Sequence, residues 1–469
     1  MLQVLGCGYS FCRLEDVTGD SDTQRADFKV RIQRLSIYTG IAILVLAVGW
    51  GVCCLVRKPE HAGGIPYRIV NVTYGEPFRY PKSYGDTWIV TWAGDGHIYS
   101  TADDNDGIYS AKPTEDGSCH PGSNLSLVML NDFSPFQGLF AGGVNRNCMR
   151  QRDWNYGGCC EAGGTGYVPP PQGATSNASS WKAVGLTCLP DESNKDVLYL
   201  SVSLHAMDRT MLQRAYDATI VVSRNHGLSW TPRPLKAEDL TFIGQKFSTP
   251  SFIQYGQAGA GTADQADKYL YAIANDGYWN NGNHMYLARL DRATLSKVRS
   301  GSAWEFFAGF DSPGNPTWKP GQTHGETAAA AVPILSSESK MSMSTANYVE
   351  PLGLYLMFEW DYPQLPNTDT TEWVFYQAPH PWGPWTPVPG GRRVWKPEGY
   401  YEPSTVAKWI RIDPAKRELK IFFLTSGDFQ RDYDHAIKDH IEHYHDIERN
   451  PYYRINLVEA TLAVEPSGE

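Results

Sequence analysis

The stretch from Gly85 to Gly107 is dense in carboxylates: Asp86, Asp95, Asp103, Asp104 and Asp106. Glycoside hydrolysis needs two such groups across a scissile bond, one protonated to assist the leaving oxygen and one ionised as nucleophile or base. If Gly94-Asp95-Gly96 is a hairpin tip, residues whose numbers sum to 190 face each other, and Asp86 falls opposite Asp104. Opposed residues have Cβ atoms about 4.5–5.5 Å apart. That spacing predicts a catalytic pair, Asp86 and Asp104, at the carboxyl separation of about 5–5.5 Å typical of a retaining enzyme. A register slip of one residue would put Asp103 in place of Asp104. Asp276 and Glu402 are further candidate acids. Asp95 lies about eight residues from the pair, roughly 26 Å along a strand, and reads as a turn carboxylate. Asp86, Asp103 and Asp104 also admit a plain reading as turn residues, and Asp103–Gly107 one as an oxygen-rich loop for a structural calcium. No other cofactor and no catalytic metal is expected. Trp88 and Trp92, on the same hairpin, are the expected stacking platforms for a sugar, with Trp279, Trp360 and Trp382 also available.

These groups need a scaffold of short strands. The chain carries 15 Trp, 27 Tyr and 17 Phe beside 44 Gly and 31 Pro, the composition of aromatic strands separated by turns. Strand-like runs recur at Trp88–Trp92, Ile98–Thr101, Val197–Leu204, Ala218–Ser223, Tyr269–Ala274, His284–Leu290, Leu352–Trp360, Trp373–Gln377, Val406–Ile412 and Leu419–Leu424. They pair into five groups and predict an all-β fold, a five-bladed β-propeller over residues 66–469. Tyr67–Val72 and Tyr453–Thr461 are expected to pair and close the ring; a β-sandwich is the alternative. Two segments break the pattern: a Gly- and Cys-rich insertion near 119–190, and a helical insertion near 426–450. In the second, His435, Asp439, His440, His443 and His445 read as a solvated helix face rather than a metal site. The net charge of −10 excludes a nucleic-acid backbone as partner and favours a carbohydrate ligand.

Ser223-Arg224-Asn225-His226-Gly227-Leu228-Ser229-Trp230 is similar to the Asp-box turn of sialidase-type propellers, with Asn225 in the Asp position. A wider resemblance runs from Tyr84 to Leu462. It is carried by Gly85-Asp86-Thr87-Trp88, Thr91-Trp92-Ala93, Ser248-Thr249-Pro250-Ser251-Phe252-Ile253-Gln254-Tyr255-Gly256, Trp304–Gly309, Leu352–Leu356 and Pro381–Thr386. In that order these segments resemble the family catalogued as domain of unknown function 4185. The resemblance implies a five-bladed propeller, and for some bacterial members endo-D-arabinanase activity of glycoside hydrolase family 183. Where that family has a paired Asp-Asp-Gly after Trp-Ala, this chain has Gly94-Asp95-Gly96.

Leu35–Val56 is an uncharged run of 22 residues, long enough at 1.5 Å per residue to cross a bilayer, and it is flanked by Arg31, Arg34, Arg57 and Lys58. It predicts a single transmembrane helix between a disordered cytosolic tail (1–34) and a stalk (57–65). Sequons at Asn71, Asn124 and Asn177 lie downstream of it, which predicts a type II orientation with a lumenal or extracellular C-terminal domain. Cys119, Cys148, Cys159, Cys160 and Cys188 cluster on that same side and read as a disulfide-bonded loop. The expected function is a membrane-anchored glycoside hydrolase acting on a glycan, furanosidic or arabinan-like. The alternatives are a catalytically silent carbohydrate-binding or adhesion propeller, and a protein-binding scaffold.

Overall fold

The computed structural model describes residues 67–108, 123–130, 133–140, 143–149, 180–207, 210–232, 239–429 and 451–466. All belong to the second of two units, Gly64–Glu469. The expected tail, membrane helix and stalk, Asn177, Cys119, Cys159, Cys160 and the histidine-rich stretch 430–450 lie outside the described residues. So do the side chains of Asn124 and Cys148, although both residues are on described strands. Among the described residues no helix is long and apolar enough to cross a membrane.

Among the described residues five antiparallel sheets of three or more strands follow one another along the chain, besides a two-stranded ribbon of Phe133–Ser134 and Leu139–Phe140. Blade 1 is built on Ile98–Ile108, which pairs with both Ser83–Asp86 and Val90–Trp92 and continues through Ser123–Leu130 to Val144–Met149. Blade 2 holds Ser180–Pro190, Asp196–Met207 and Gln213–Ser223. Blade 3 runs from Ser251–Phe252 through Tyr269–Asn275 and Gly282–Asp291 to Glu305–Ser312 and Asn315–Pro320. Blade 4 comprises Thr345–Val349, Leu354–Asp361, Thr371–Ala378 and Thr386–Trp395. Blade 5 joins Tyr400–Ser404, Glu418–Gly427 and Asn456–Pro466 to Tyr67–Tyr74. Tyr67 pairs with Pro466 and Val72 with Leu462, so the expected closing strand pair forms.

The strand runs lack a polar face because each is covered on both sides. In blade 2, Leu198, Leu200, Val202 and Leu204 pack into the seam with blade 1, while Val197 and Tyr199 pack into the seam with blade 3. In blade 4, Leu354, Leu356, Phe358 and Trp360 face blade 5, and Tyr355 and Met357 face blade 3. The two-residue period of a strand thus feeds two seams at once. The buried hydrophobic clusters correspond to the seams between consecutive blades, and this arrangement excludes a sandwich.

Side chains from the first strands close the axis. Thr91 Oγ1 of blade 1 donates to Gln254 Oε1 at 3.1 Å, Gln254 Nε2 of blade 3 donates to Leu186 O of blade 2 at 2.8 Å, and Asn347 Nδ2 of blade 4 donates to Thr405 O of blade 5 at 3.1 Å. Gln254 and Asn347 are joined as a parallel bridge, which makes one connected plug from all five blades.

Three sequence expectations are corrected. The stretch near 119–190 is not simply an insertion, because Ser123–Leu130, Val144–Met149 and Ser180–Pro190 are ladder strands of blades 1 and 2. Cys188 is a buried free thiol in the seam between those blades and does not join a disulfide. At the other insertion, the strand Glu418–Gly427 runs past its expected start at residue 426. The Asp-box-like turn forms as expected. Ser223 Oγ accepts from Gly227 N at 2.8 Å, Asn225 Oδ1 accepts from Ser229 N at 2.9 Å, Gly227 sits at φ +83°, and Trp230 is buried between blades 1 and 2.

Blade 4 carries a test of the buried polar layer. Glu359 continues the Tyr355–Met357 face into the seam with blade 3, and its Oε2 accepts from Ser344 Oγ at 2.5 Å and Ser342 N at 3.2 Å. Burial pushes its pKa up to about 8. The folded protein therefore holds a proton that the unfolded chain releases, and stability falls as pH rises from the ordinary glutamate range to about 8. Glu359→Gln should remove much of that slope. Urea unfolding should show little difference at pH 4.5 and a gain of a few kcal/mol at pH 9.

Candidate active site

A cavity of about 220 Å³ opens at the end of the ring where Asp86 and Asp104 lie, and all five blades line it. Blade 1 contributes Tyr84, Asp86, Thr87 and Asp104, and blade 2 contributes Lys182, His205 and Gln213. Trp279 comes from blade 3, Trp360 and Tyr362 from blade 4, and Tyr401, Phe429 and Tyr453 from blade 5. In a five-membered ring, blades 3 and 4 stand across the axis from blade 1. The tryptophans therefore face the acids.

The hairpin arithmetic holds near the turn and fails at the site. Val90, Thr91 and Trp92 oppose Ser100, Tyr99 and Ile98 as expected, but Asp86 opposes Asp103. The slip comes from Thr87–Ile89, which leave the ladder. Thr87 takes φ +57°, its carbonyl accepts from Ile89 N at 3.0 Å and from Thr101 Oγ1 at 2.5 Å, and Thr101 Oγ1 accepts in turn from Ile89 N at 3.1 Å. The expected cross-strand opposition of Asp86 and Asp104 is thus corrected. Both nevertheless line the cavity, Asp104 from within the strand, where its backbone takes φ +41° beside the register shift between Tyr84 and Asp86.

The carboxyls sit in contrasting environments. Asp86 is half-buried in the cavity wall, and Tyr401 Oη donates to its Oδ2 at 2.7 Å. Burial raises its pKa to about 6; the Lys182 ammonium and the Tyr401 and Tyr453 hydroxyls pull against that rise, and the Asp104 charge adds to it. Asp104 is half-exposed and forms an ion pair with the ammonium of buried Lys182. Asp103 lies behind, buried, and accepts from Ala183 N at 3.1 Å; burial holds its pKa well above the carboxylate range, and Asp86 and Asp104 raise it further. Burial, with the nearby charges of Asp86 and Asp103, also pushes Glu402 far up. Both its oxygens are buried, and the Thr87 side chain is the polar neighbour that pulls against the rise. Thr87, Asp104 and Glu402 all have left-handed backbones, at φ +57°, +41° and +54°. Such strain costs of order 1–3 kcal/mol per residue and concentrates where function requires a fixed geometry.

Burial draws Lys182's pKa down, but Asp104, Asp103 and Asp86 outweigh it and keep the ammonium charged. His205 is held neutral, its pKa lowered to about 4 by burial and by Lys182. Its Nε2 lies 3.0 Å from Gln213 Oε1, and its ring packs edge-on against Trp279 at 4.9 Å between centroids. Trp360 is fixed by a hydrogen bond from Nε1 to Met343 O at 2.7 Å.

Three expected site residues lie elsewhere. Trp88 is fully buried in the seam between blades 1 and 5, and its Nε1 donates to Gly85 O at 3.1 Å. Trp92 packs on that same seam and faces the Lys408 ammonium. Neither lines the cavity; Trp279 and Trp360, themselves buried, do. Asp276 accepts from Asn283 N at 3.0 Å as a turn residue outside the cavity. Asp95 is the turn carboxylate expected, accepting from His97 N at 2.9 Å and Tyr99 Oη at 2.7 Å. Asp103–Gly107 lies on the strand Ile98–Ile108, where Asp103 is engaged by an amide and Asp104 by an ammonium. Among the described residues, Asp95, Asp196 and His226 have ligand atoms within 4.8 Å of one another, at the turn end of the blades and away from the cavity. Sequence reasoning missed Lys182, His205, Gln213 and Tyr401. The signal for Lys182 was present, since it is a lone ammonium within the strand segment Trp181-Lys182-Ala183-Val184.

The sequence matches no family model and no curated protein. Among solved structures, the chain is similar to a putative hydrolase from Bacteroides ovatus at 13% identity and TM-score 0.39, covering 86% of this chain and 96% of that one. It is similar to the catalytic domain of the GH62 α-L-arabinofuranosidase of Coprinopsis cinerea at 9% identity and TM-score 0.37, covering 85% and 97%. The Bacteroides ovatus xyloglucan PUL GH43B matches at 12% identity and TM-score 0.40, over 76% of this chain and 51% of that protein, so the chain spans about half its length.

Proposed function

We propose that this chain is a glycoside hydrolase in which Asp86 is the general acid and Asp104 the carboxylate that acts as nucleophile or base. The observation that carries the reading is the pair of carboxyls in one axial cavity, one with its pKa raised to about 6 by burial and the other in an ion pair with Lys182. Asp86 gives its proton to the glycosidic oxygen as the C–O bond breaks. Water then supplies the hydroxyl at the anomeric carbon and returns a proton to the carboxyl pair, so one water is consumed per bond. Asp103 and Glu402 are fully enclosed, and the Asp86 charge adds to the burial that raises the pKa of each. Asp104's engagement with Lys182 supports a second reading, a carbohydrate-binding propeller without turnover. A retaining outcome rested on cross-strand opposition and is not proposed.

The test is hydrolysis of a panel of furanosyl and pyranosyl p-nitrophenyl glycosides and oligosaccharides by the full chain. Activity should fall above about pH 6 as Asp86 loses its proton. Saturable binding with no turnover across the panel would favour the second reading. The same proposal includes anchoring by Leu35–Val56 with a non-cytosolic propeller, supported by the uncharged run and by the exposed position of Asn71 on the outermost strand of blade 5. Enzymatic deglycosylation should increase the gel mobility of protein made in a glycosylating host; unchanged mobility would count against it.

A further inference from the structure

We infer that the axial cavity accepts one sugar residue, the terminal one of a chain, so that the protein removes single residues from an end instead of cutting within the chain. The inference rests on the glycosidase reading and names its substrate class.

Size is the first argument. A volume of about 220 Å³ corresponds to roughly seven waters, which is the bulk of one monosaccharide and short of two. It is also below the range of about 300–1,000 Å³ that takes larger ligands.

Enclosure is the second. An internal residue of a polymer needs an exit on each side, because the chain continues in both directions. Here described residues of all five blades line the cavity. The acids stand on blade 1, Lys182, His205 and Gln213 on blade 2, Trp279 on blade 3, Trp360 and Tyr362 on blade 4, and Tyr401 and Tyr453 on blade 5. Below, the Thr91–Gln254–Asn347 plug seals the axis. Among the described residues the walls and the plug leave the end of the ring for entry, and a chain that reaches the acids from there comes in by its end.

Placement is the third. A ring resting on the Trp279 and Trp360 side presents its opposite edge to Asp86 and Asp104, and its hydroxyls fall between the polar groups of blades 2 and 5. The bond within reach of the acids is then the one linking this residue to the rest of the chain. This differs from the endo action that the sequence resemblance implies.

The test uses the full-length protein and furanosyl and pyranosyl oligosaccharides fluorescently labelled at the reducing end, with and without alkylation of the non-reducing terminal residue. Labelled products should shorten one residue at a time with release of monosaccharide, and the alkylated substrates should be cut about a hundredfold more slowly or not at all. Internal fragments from alkylated substrates would overturn the inference and leave the glycosidase reading standing. If nothing is cut, that reading fails, and titration of tryptophan fluorescence with methyl glycosides and their disaccharides decides the rest. Saturable quenching at equal affinity for both would uphold a one-residue pocket. Tighter binding of the disaccharide, or no quenching by either, would overturn it.

Discussion

Asp86→Asn is expected to lower kcat/KM by about 10²–10⁴-fold on any substrate the wild-type protein hydrolyses, the range associated with loss of a general acid. The amide keeps the shape of the carboxyl and can still accept the Tyr401 hydroxyl, so the cavity survives. Stability should not suffer. Because the folded pKa is raised to about 6 from 3.8, the folded protein retains a proton that the unfolded chain gives up, and wild-type stability declines as pH rises through that window. The variant has no such decline. Urea unfolding should show it equal to wild type near pH 4 and up to about 3 kcal/mol more stable at pH 8. Hydrolysis within tenfold of wild type would remove Asp86 from the mechanism. A large activity loss accompanied by destabilisation at pH 8 would mark it as structural.

Lys182→Met should have the other large effect. The side chain is 8% exposed, and its ammonium is the shared counter-charge of Asp104, Asp103 and Asp86. Its removal leaves buried carboxyls uncompensated, which typically costs about 3–5 kcal/mol. A fold defect alone would lower the yield of active protein without moving its pH profile. The positioning role predicts a shift: without the ammonium, Asp86 titrates higher, and the alkaline limb of kcat/KM moves up in pH. Lys182→Arg keeps the charge and should return the limb toward its wild-type position. A limb unmoved in Lys182→Met would show that Lys182 does not set the acidity of Asp86.

Much of the architecture was legible from the chain alone, because a strand buried on both faces announces itself by a nearly continuous apolar run, as at Leu354–Phe358 and at Val197–Leu204, where only Ser201 and Ser203 interrupt it. The ring closure was legible from two strand-like ends with no other partner. The strands Ser123–Leu130 and Val144–Met149 were harder to see, being interleaved with glycines, asparagines and cysteines that read as loop. At the site, the acids on the hairpin and Glu402 could be named from type and spacing. Their arrangement could not, because register depends on whether Thr87–Ile89 stays in the ladder, and a threonine at φ +57° carries no sequence signal. The tryptophans failed for a related reason: Trp88 and Trp360 are equally good platforms on paper, and only the phase of the strand decides which one meets the cavity.

Blade 5 has a consequence for how this molecule comes into being. Its outermost strand, Tyr67–Tyr74, leaves the ribosome before any other part of the propeller, and the strand it must join, Asn456–Pro466, leaves last. Neighbouring blades can zip together as they emerge, since their pairings are local. Throughout that interval the early strand has no partner and the seams of blades 1 and 4 that blade 5 will cover stay open, with Trp88, Trp373 and Phe375 unprotected. Nearly the whole domain must be synthesised before that contact can form, so the final docking is the slow and aggregation-exposed event in its folding. A nascent chain arrested before residue 456 is the form most in need of a chaperone, and release of the last eleven residues of that blade converts it to a closed ring.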